Sequence, residues 1–191
     1  GFTPDEETGR SADLFDVKKF GADFAYTVDG GALGGIEYEN FNAANATVHF
    51  HGIGVHTGDA KHKMINALTI ASEWQQMLPV GERPEHTEGY EGFYHIHKVN
   101  GDVENVAMMM LIRDHDRARF EQRKEFLQNL ATLLNQKYGE GSVEVDCKDV
   151  YYNMKEKMEP AMYVVELAER AMRSIGVEPV CAPIRGGTDG A

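Results

Sequence analysis

GFYHIHKVNGDVENVAMMMLIRD, residues 92–114, is the stretch on which the fold turns. GFYHIHKV (92–99) reads as a strand. Asn100-Gly101 is a strong hairpin signal, because the tightest hairpin turns need positive φ at both central residues. ENVAMMMLIRD (104–114) then returns as a second strand, with Val106, Met108, Met110 and Ile112 alternating onto one face. Two adjacent antiparallel strands therefore sit in the middle of whatever surrounds them.

Outward from the hairpin the pattern mirrors itself. Upstream, ATVHFHGIG (46–54) alternates Val48 and Phe50 against His49 and His51, a strand. HTGDAKH (56–62) is loop, and KHKMINALTIASEWQQML (61–78) carries Met64, Ala67, Leu68, Ala71, Trp74 and Leu78 at helical spacing. PVGERPEHTEGYEG (79–92) is polar and rich in turn residues. Downstream, 116–138 reads as a helix with Phe120, Leu127, Leu130, Leu134 and Tyr138 inward, stopped by Gly139 and Gly141. SVEVDCKDV (142–150) is a fourth strand with Val143, Val145 and Cys147 in and Glu144 and Asp146 out. The order over 46–150 is β-α-β-β-α-β, the ferredoxin-like pattern of two helices on one face of a four-stranded antiparallel sheet. The other face stays bare unless something covers it, so a dimer is expected.

The flanks have another character. Residues 1–41 hold two strand-like pieces, DFAYTVDGG (23–31) and GGIEYENFN (34–42), around glycine turns. PAMYVVELAERAMRSI (160–175) reads as a helix with Pro160 in its first turn, a stripe of Ala161, Val164, Ala168, Ala171 or Met172 and Ile175, and Gly176 as its stop. A short strand and a glycine turn follow in VEPVCAPIRGGTDGA (177–191). Neither flank closes a core alone. Together, 1–41 and 154–191 read as parts of an α/β domain into which 42–153 is inserted.

Composition narrows the function classes. The 191 residues are 42% hydrophobic and 26% charged, ordinary globular values. No apolar run approaches the ~18 residues of a membrane span. A net charge of −12 disfavours a nucleic-acid backbone as partner. Cys147 and Cys181 make no disulfide framework and no CxxC pair, so free thiols in a reducing cytoplasm are expected.

Three constellations could carry chemistry. In TPDEETG (3–9), Glu6 and Glu7 are either a solvated acidic turn or a pair in a loop, where neighbouring carboxylates can reach one site. One could then bind a metal while the other takes a proton from bound water, with Asp29 before Gly30-Gly31 as a further ligand. These carboxylates fall short of the three or four ligands, His included, that zinc usually takes. His56, between Gly54 and Gly58 and ahead of a helix, is a functional candidate. His49 with His51, and His95 with His97, read as surface pairs on strands, although the first pair could chelate. Arg113 either pairs with Asp114 and Asp116 or binds a ligand. Arg185, before GGTDG (186–190), is either a solvated loop arginine or a bidentate clamp for a carboxylate.

The stretches GFTPDEETG, FGADFAYTVDGG, IEYENFNAA, HGIGVHTGDAKHKMINA, EGYEGFYH, LNQKYGEG, YYNMKEK and IRGGTDGA, spread over essentially the whole chain, resemble the co-catalytic zinc exopeptidases, in particular those that release the N-terminal residue of tripeptides. The resemblance implies two zincs per complete site. It makes Glu6 the general base, Glu7 a ligand of one zinc and Asp29 a ligand of the other. It makes His56 a histidine of the lid that binds substrate or the oxyanion, often in a partner subunit's site. It gives Arg113 and Arg185 the terminal carboxylate of a small peptide, and makes 42–153 the lid, through which a homodimer forms. The family's upstream His-x-Asp segment and downstream His ligand are not in this sequence. The chain is thus expected to begin and end within the catalytic domain and to hydrolyse little or nothing alone. The other readings are a non-catalytic dimerisation or binding module, and a related zinc carboxypeptidase, dipeptidase or deacylase.

Overall fold

The computed structural model describes residues 15–28 and 30–188. In chain order the elements are α1 (Val17–Phe20), β1 (Gly35–Ile36), β2 (Asn42–His51), α2 (Ala67–Met77), β3 (Phe93–Gly101), β4 (Asn105–Asp114), α3 (Arg117–Tyr138), β5 (Val143–Tyr151), α4 (Lys155–Met158), α5 (Tyr163–Ser174) and β6 (Val180–Cys181). They divide into two compact units, Phe41–Tyr152 and the described residues on either side of it.

In Phe41–Tyr152 the sheet runs β3-β4-β2-β5, every neighbour antiparallel. This is the ferredoxin-like βαββαβ arrangement. The register explains the core. Ala46 faces Met110 and Cys147, Val48 faces Met108 and Val145, and Phe50 faces Val106 and Val143. These rows turn to one side, where Ile70 and Trp74 of α2 and Phe120, Leu127 and Leu134 of α3 bury them. Each large side chain fully buried there contributes about 2–3 kcal/mol. The opposite face carries Asn45, Thr47, His49 and His51 of β2 and Leu111 and Met109 of β4, none of them buried.

Three local expectations need correction, each for a tertiary reason. The helix expected from residue 61 starts at Ala67. His62 is held at φ 61°, outside the right-handed helical region, and Ile53 and Ile65 exchange backbone hydrogen bonds of 2.7 and 3.1 Å. The loop is thereby closed before a helix can begin, and Asn66 caps α2 by accepting the Leu68 N–H at 2.9 Å. Leu68 is 45% exposed rather than inward. The hairpin exists, but its turn is not Asn100-Gly101. Both residues belong to β3, and residues 102–104 make the turn. The Asp102 carboxylate accepts the N–H groups of Glu104 and Asn105, which holds its pKa down. Glycine is needed at 101 because a Cβ there would run into the Asn105 carbonyl, at a φ of 149°. Finally, β2 begins at Asn42, four residues before the alternation at 46 becomes legible, because Ala43 and Ala44 are paired on both sides.

In the flanking unit β1 and β6 form a parallel pair. The pairing is extended by the bonds Val180 N–H to Gly34 O (2.8 Å), Ala182 N–H to Ile36 O (3.2 Å) and Ile184 N–H to Glu39 O (2.8 Å). DFAYTVDGG is not a strand over its described residues. Aromatic packing holds it instead: Phe24 meets Tyr26 and Tyr163 edge-on at 5.8 and 6.0 Å, and the Tyr26 O–H donates to the Val164 carbonyl at 2.6 Å. Pro160 sits in a 3-10 turn ahead of α5, which therefore starts at Tyr163, buries Val164 and Val165 and stops before Gly176. Among the described residues no helix is long and apolar enough to cross a membrane.

Candidate functional site

Glu6, Glu7 and Asp29, the carboxylates on which the catalytic reading rests, lie outside the described residues. Among the described residues no group of three or more His, Cys, Asp or Glu side chains could hold a metal ion. His56, Arg113 and Arg185 are described, the first two in Phe41–Tyr152 and the third in the flanking unit.

His56 stands on the loop that follows β2. Its Nδ1 accepts the Gly58 N–H at 3.1 Å, which caps the 3-10 turn Thr57–Asp59 and fixes the ring from its backbone side. Asp59 lies 3.9 Å away, and the side chain is 81% exposed. A loop imidazole presented this way can donate from Nε2 to a developing oxyanion. It does not stand just before α2, as expected, since the pinned segment up to Asn66 intervenes.

Arg113 is held differently. Its Nη1 donates to the carbonyls of Ala44 (2.8 Å) and Ile112 (2.9 Å). Both Arg113 and Tyr151 are register partners of Ala43, on either side of it, and this small residue lets the guanidinium reach 5.8 Å from the Tyr151 ring. Burial pushes its pKa down, partly offset by Tyr151. The expected pairing with Asp114 and Asp116 does not form. Asp114, the next residue on the strand, turns to the other face and takes Arg123 Nε at 2.8 Å. Asp116 caps α3 by accepting the Arg119 N–H at 2.8 Å. Tyr151 was not among the sequence candidates; only the strand register could have found it.

His56 and Arg113 are not brought together. Arg113 pairs with Ala43 near the start of β2, whereas His56 follows His51 at its end. Eight residues of strand between those points correspond to roughly 25 Å. Arg185 is half-buried and follows Ile184, whose backbone N–H is fixed on Glu39. His49 and His51 stack at 6.5 Å, with His51 3.1 Å from Asn105 Oδ1 and 3.9 Å from Glu144. His95 and His97 lie 6.1 Å apart, with His97 in the irregularity between Ile96 and Lys98 where the register of β3 shifts. Cys147 and Cys181 are free thiols, and burial raises the pKa of both.

A four-stranded antiparallel sheet backed on one face by two helices leaves its other face available for association. Residues 38–142 match the family of the peptidase dimerisation domain, and the chain belongs to that family. Over its whole length the chain is similar to Peptidase T of Caldanaerobacter subterraneus, 59% identical over 190 residues, which covers 100% of this chain and 46% of that protein. Peptidase T of Clostridium novyi is 58% identical over 190 residues, covering 100% of this chain and 47% of that protein. The chain thus spans about half the length of the curated relatives it matches. The fold is that of aminopeptidase PepT from Bacillus cereus (TM-score 0.82, 24% identity, 98% of this chain and 50% of that one). A tripeptidase from Staphylococcus aureus shares it as well (TM-score 0.83, 22% identity, 98% and 50%).

Proposed function

We propose that the chain forms part of a zinc-dependent aminopeptidase that releases the N-terminal residue of tripeptides. The observation that carries this reading is the similarity to Peptidase T along the full chain, at 59% identity. In this reading 42–153 is the lid and dimerisation domain, and 1–41 and 154–191 belong to the catalytic domain. Glu6 is the general base that takes a proton from the attacking water. Glu7 and Asp29 are the zinc ligands. Two carboxylates are fewer than the three or four ligands zinc usually takes, so this chain alone is expected to hold the metal weakly. Arg113 and Arg185 bind the terminal carboxylate of the peptide, for which a guanidinium offers paired donors. A cytoplasmic setting fits the two free thiols.

The proposal extends to a homodimer. In this reading His56 serves the site of a partner copy. Its place on the loop after His51, while Arg113 pairs with Ala43 near the start of β2, supports that reading.

The test of the activity is a transplant. The 191 residues replace the matching segment of the Caldanaerobacter Peptidase T, and tripeptide hydrolysis is followed with zinc added. Release of the N-terminal residue by the chimera is the expected result, falling at least about 100-fold in Glu6→Gln. A folded chimera without activity, or full activity in Glu6→Gln, overturns the reading.

A further inference from the structure

IEYENFNAA and YYNMKEK mark the family resemblance, yet apart from the ligand roles proposed elsewhere in the chain they carry no chemistry. The structure brings them together. We propose that Asn40 and Asn153 form a clasp that binds the outgoing and returning connectors of Phe41–Tyr152 into one attachment and positions the backbone leading to Arg185.

The chain leaves the flanking unit at Asn40 and re-enters it at Asn153, 113 residues later. The Asn40 N–H donates to Asn153 Oδ1 at 3.1 Å, and the Met154 N–H donates to Asn40 Oδ1 at 2.7 Å. Each asparagine thus accepts from the other connector's backbone or supplies its own to it. Asn153 Oδ1 also accepts the Lys155 N–H at 3.0 Å, which fixes its rotamer at the entry to α4. Asn40 is completely buried. A buried amide is retained where its hydrogen bonds are made and is costly to leave unmade.

Glu39 ties the clasp to the rest of the unit. It is 6% exposed, and its carboxylate takes Lys155 Nζ at 3.1 Å. Its carbonyl accepts the Ile184 N–H at 2.8 Å, one residue before Arg185. A shift of either connector is therefore felt by the other and by Ile184. The clasp does not depend on the peptidase reading; only the importance of placing Arg185 does.

The test is residue-resolved hydrogen exchange on the full chain. Asn153→Leu removes the shared acceptor at similar volume. Exchange at Asn40, Met154, Lys155 and Ile184 is expected to accelerate by about tenfold or more, while β4 amides between 106 and 112 keep their rates. Asn153→Asp preserves the acceptor and is expected to stay within about threefold of the native rates at the same amides. Unchanged exchange at Met154 and Ile184 in Asn153→Leu overturns the proposal. Equal acceleration in β4, which would make the pair a general stability contact, also overturns it, as does Asn153→Asp behaving like Asn153→Leu. None of these readouts depends on catalysis, so failure of the clasp and failure of the peptidase reading are separable.

Discussion

Replacing Trp74 with alanine is expected to lower the stability of the Phe41–Tyr152 unit by about 4 kcal/mol. Trp74 is completely buried, and its ring meets Phe50 of β2 nearly edge-on at 5.8 Å. With Ile70 it is one of the two large side chains that α2 buries against the sheet. Alanine would remove most of that apolar surface and leave a cavity that the paired strands cannot collapse to fill. The indole also carries a liability, since its buried Nε1 has no hydrogen-bond partner among the described residues. Phenylalanine removes that donor while keeping a ring, so Trp74→Phe is expected to cost only about 1 kcal/mol. Denaturant unfolding followed by far-ultraviolet circular dichroism measures both. Equal losses for the two variants would contradict the packing account.

A second large effect is expected at Arg123. Its Nε donates to Asp114 at 2.8 Å, its Nη1 binds Glu82, and its guanidinium lies 5.0 Å from the centre of the Tyr94 ring. The Asp114 side chain is 2% exposed and that of Arg123 13%. Burial in the same place pushes the Tyr94 hydroxyl up to about 12. Arg123→Met would strand the Asp114 carboxylate in the interior, at a cost of about 3 kcal/mol. Adding Asp114→Asn removes the stranded charge but keeps an acceptor for the Asp116 N–H, which Asp114 binds at 2.9 Å. The double variant is expected to recover about 2 kcal/mol of the loss. If the second change made matters worse by its full separate cost, the two groups would not be acting as a pair.

These two sites show how much of the fold is legible in the chain. Alternation in 104–114 and the seven-residue spacing of Phe120, Leu127 and Leu134 are local signals, and each is strong enough to set an element and its buried face. The start of α2 is not local. It is set by the Ile53–Ile65 bridge and by the Ala67 N–H bound to Val103 O at 2.8 Å, pairings whose partners lie far apart in sequence. The same holds for the candidate site. The residue type and position of Arg113 single it out, but the neighbouring carboxylate is not its partner. Strand alternation sends Asp114 to the opposite face, and the register across Ala43 brings in Tyr151 instead. Asn40 and Asn153 are likewise ordinary polar residues until the fold places them side by side.

The claim that a peptidase site is assembled from two copies is tested most directly by mixing two inactive variants. In the Peptidase T chimera, Glu6→Gln and His56→Ala are each expected to lose activity alone. If His56 serves the partner's site, half of the dimers in an equal co-expressed mixture carry one site with both groups intact. The mixture then regains about a quarter of the unmutated activity. No recovery, in a mixture shown by mass spectrometry to contain heterodimers, would contradict the account.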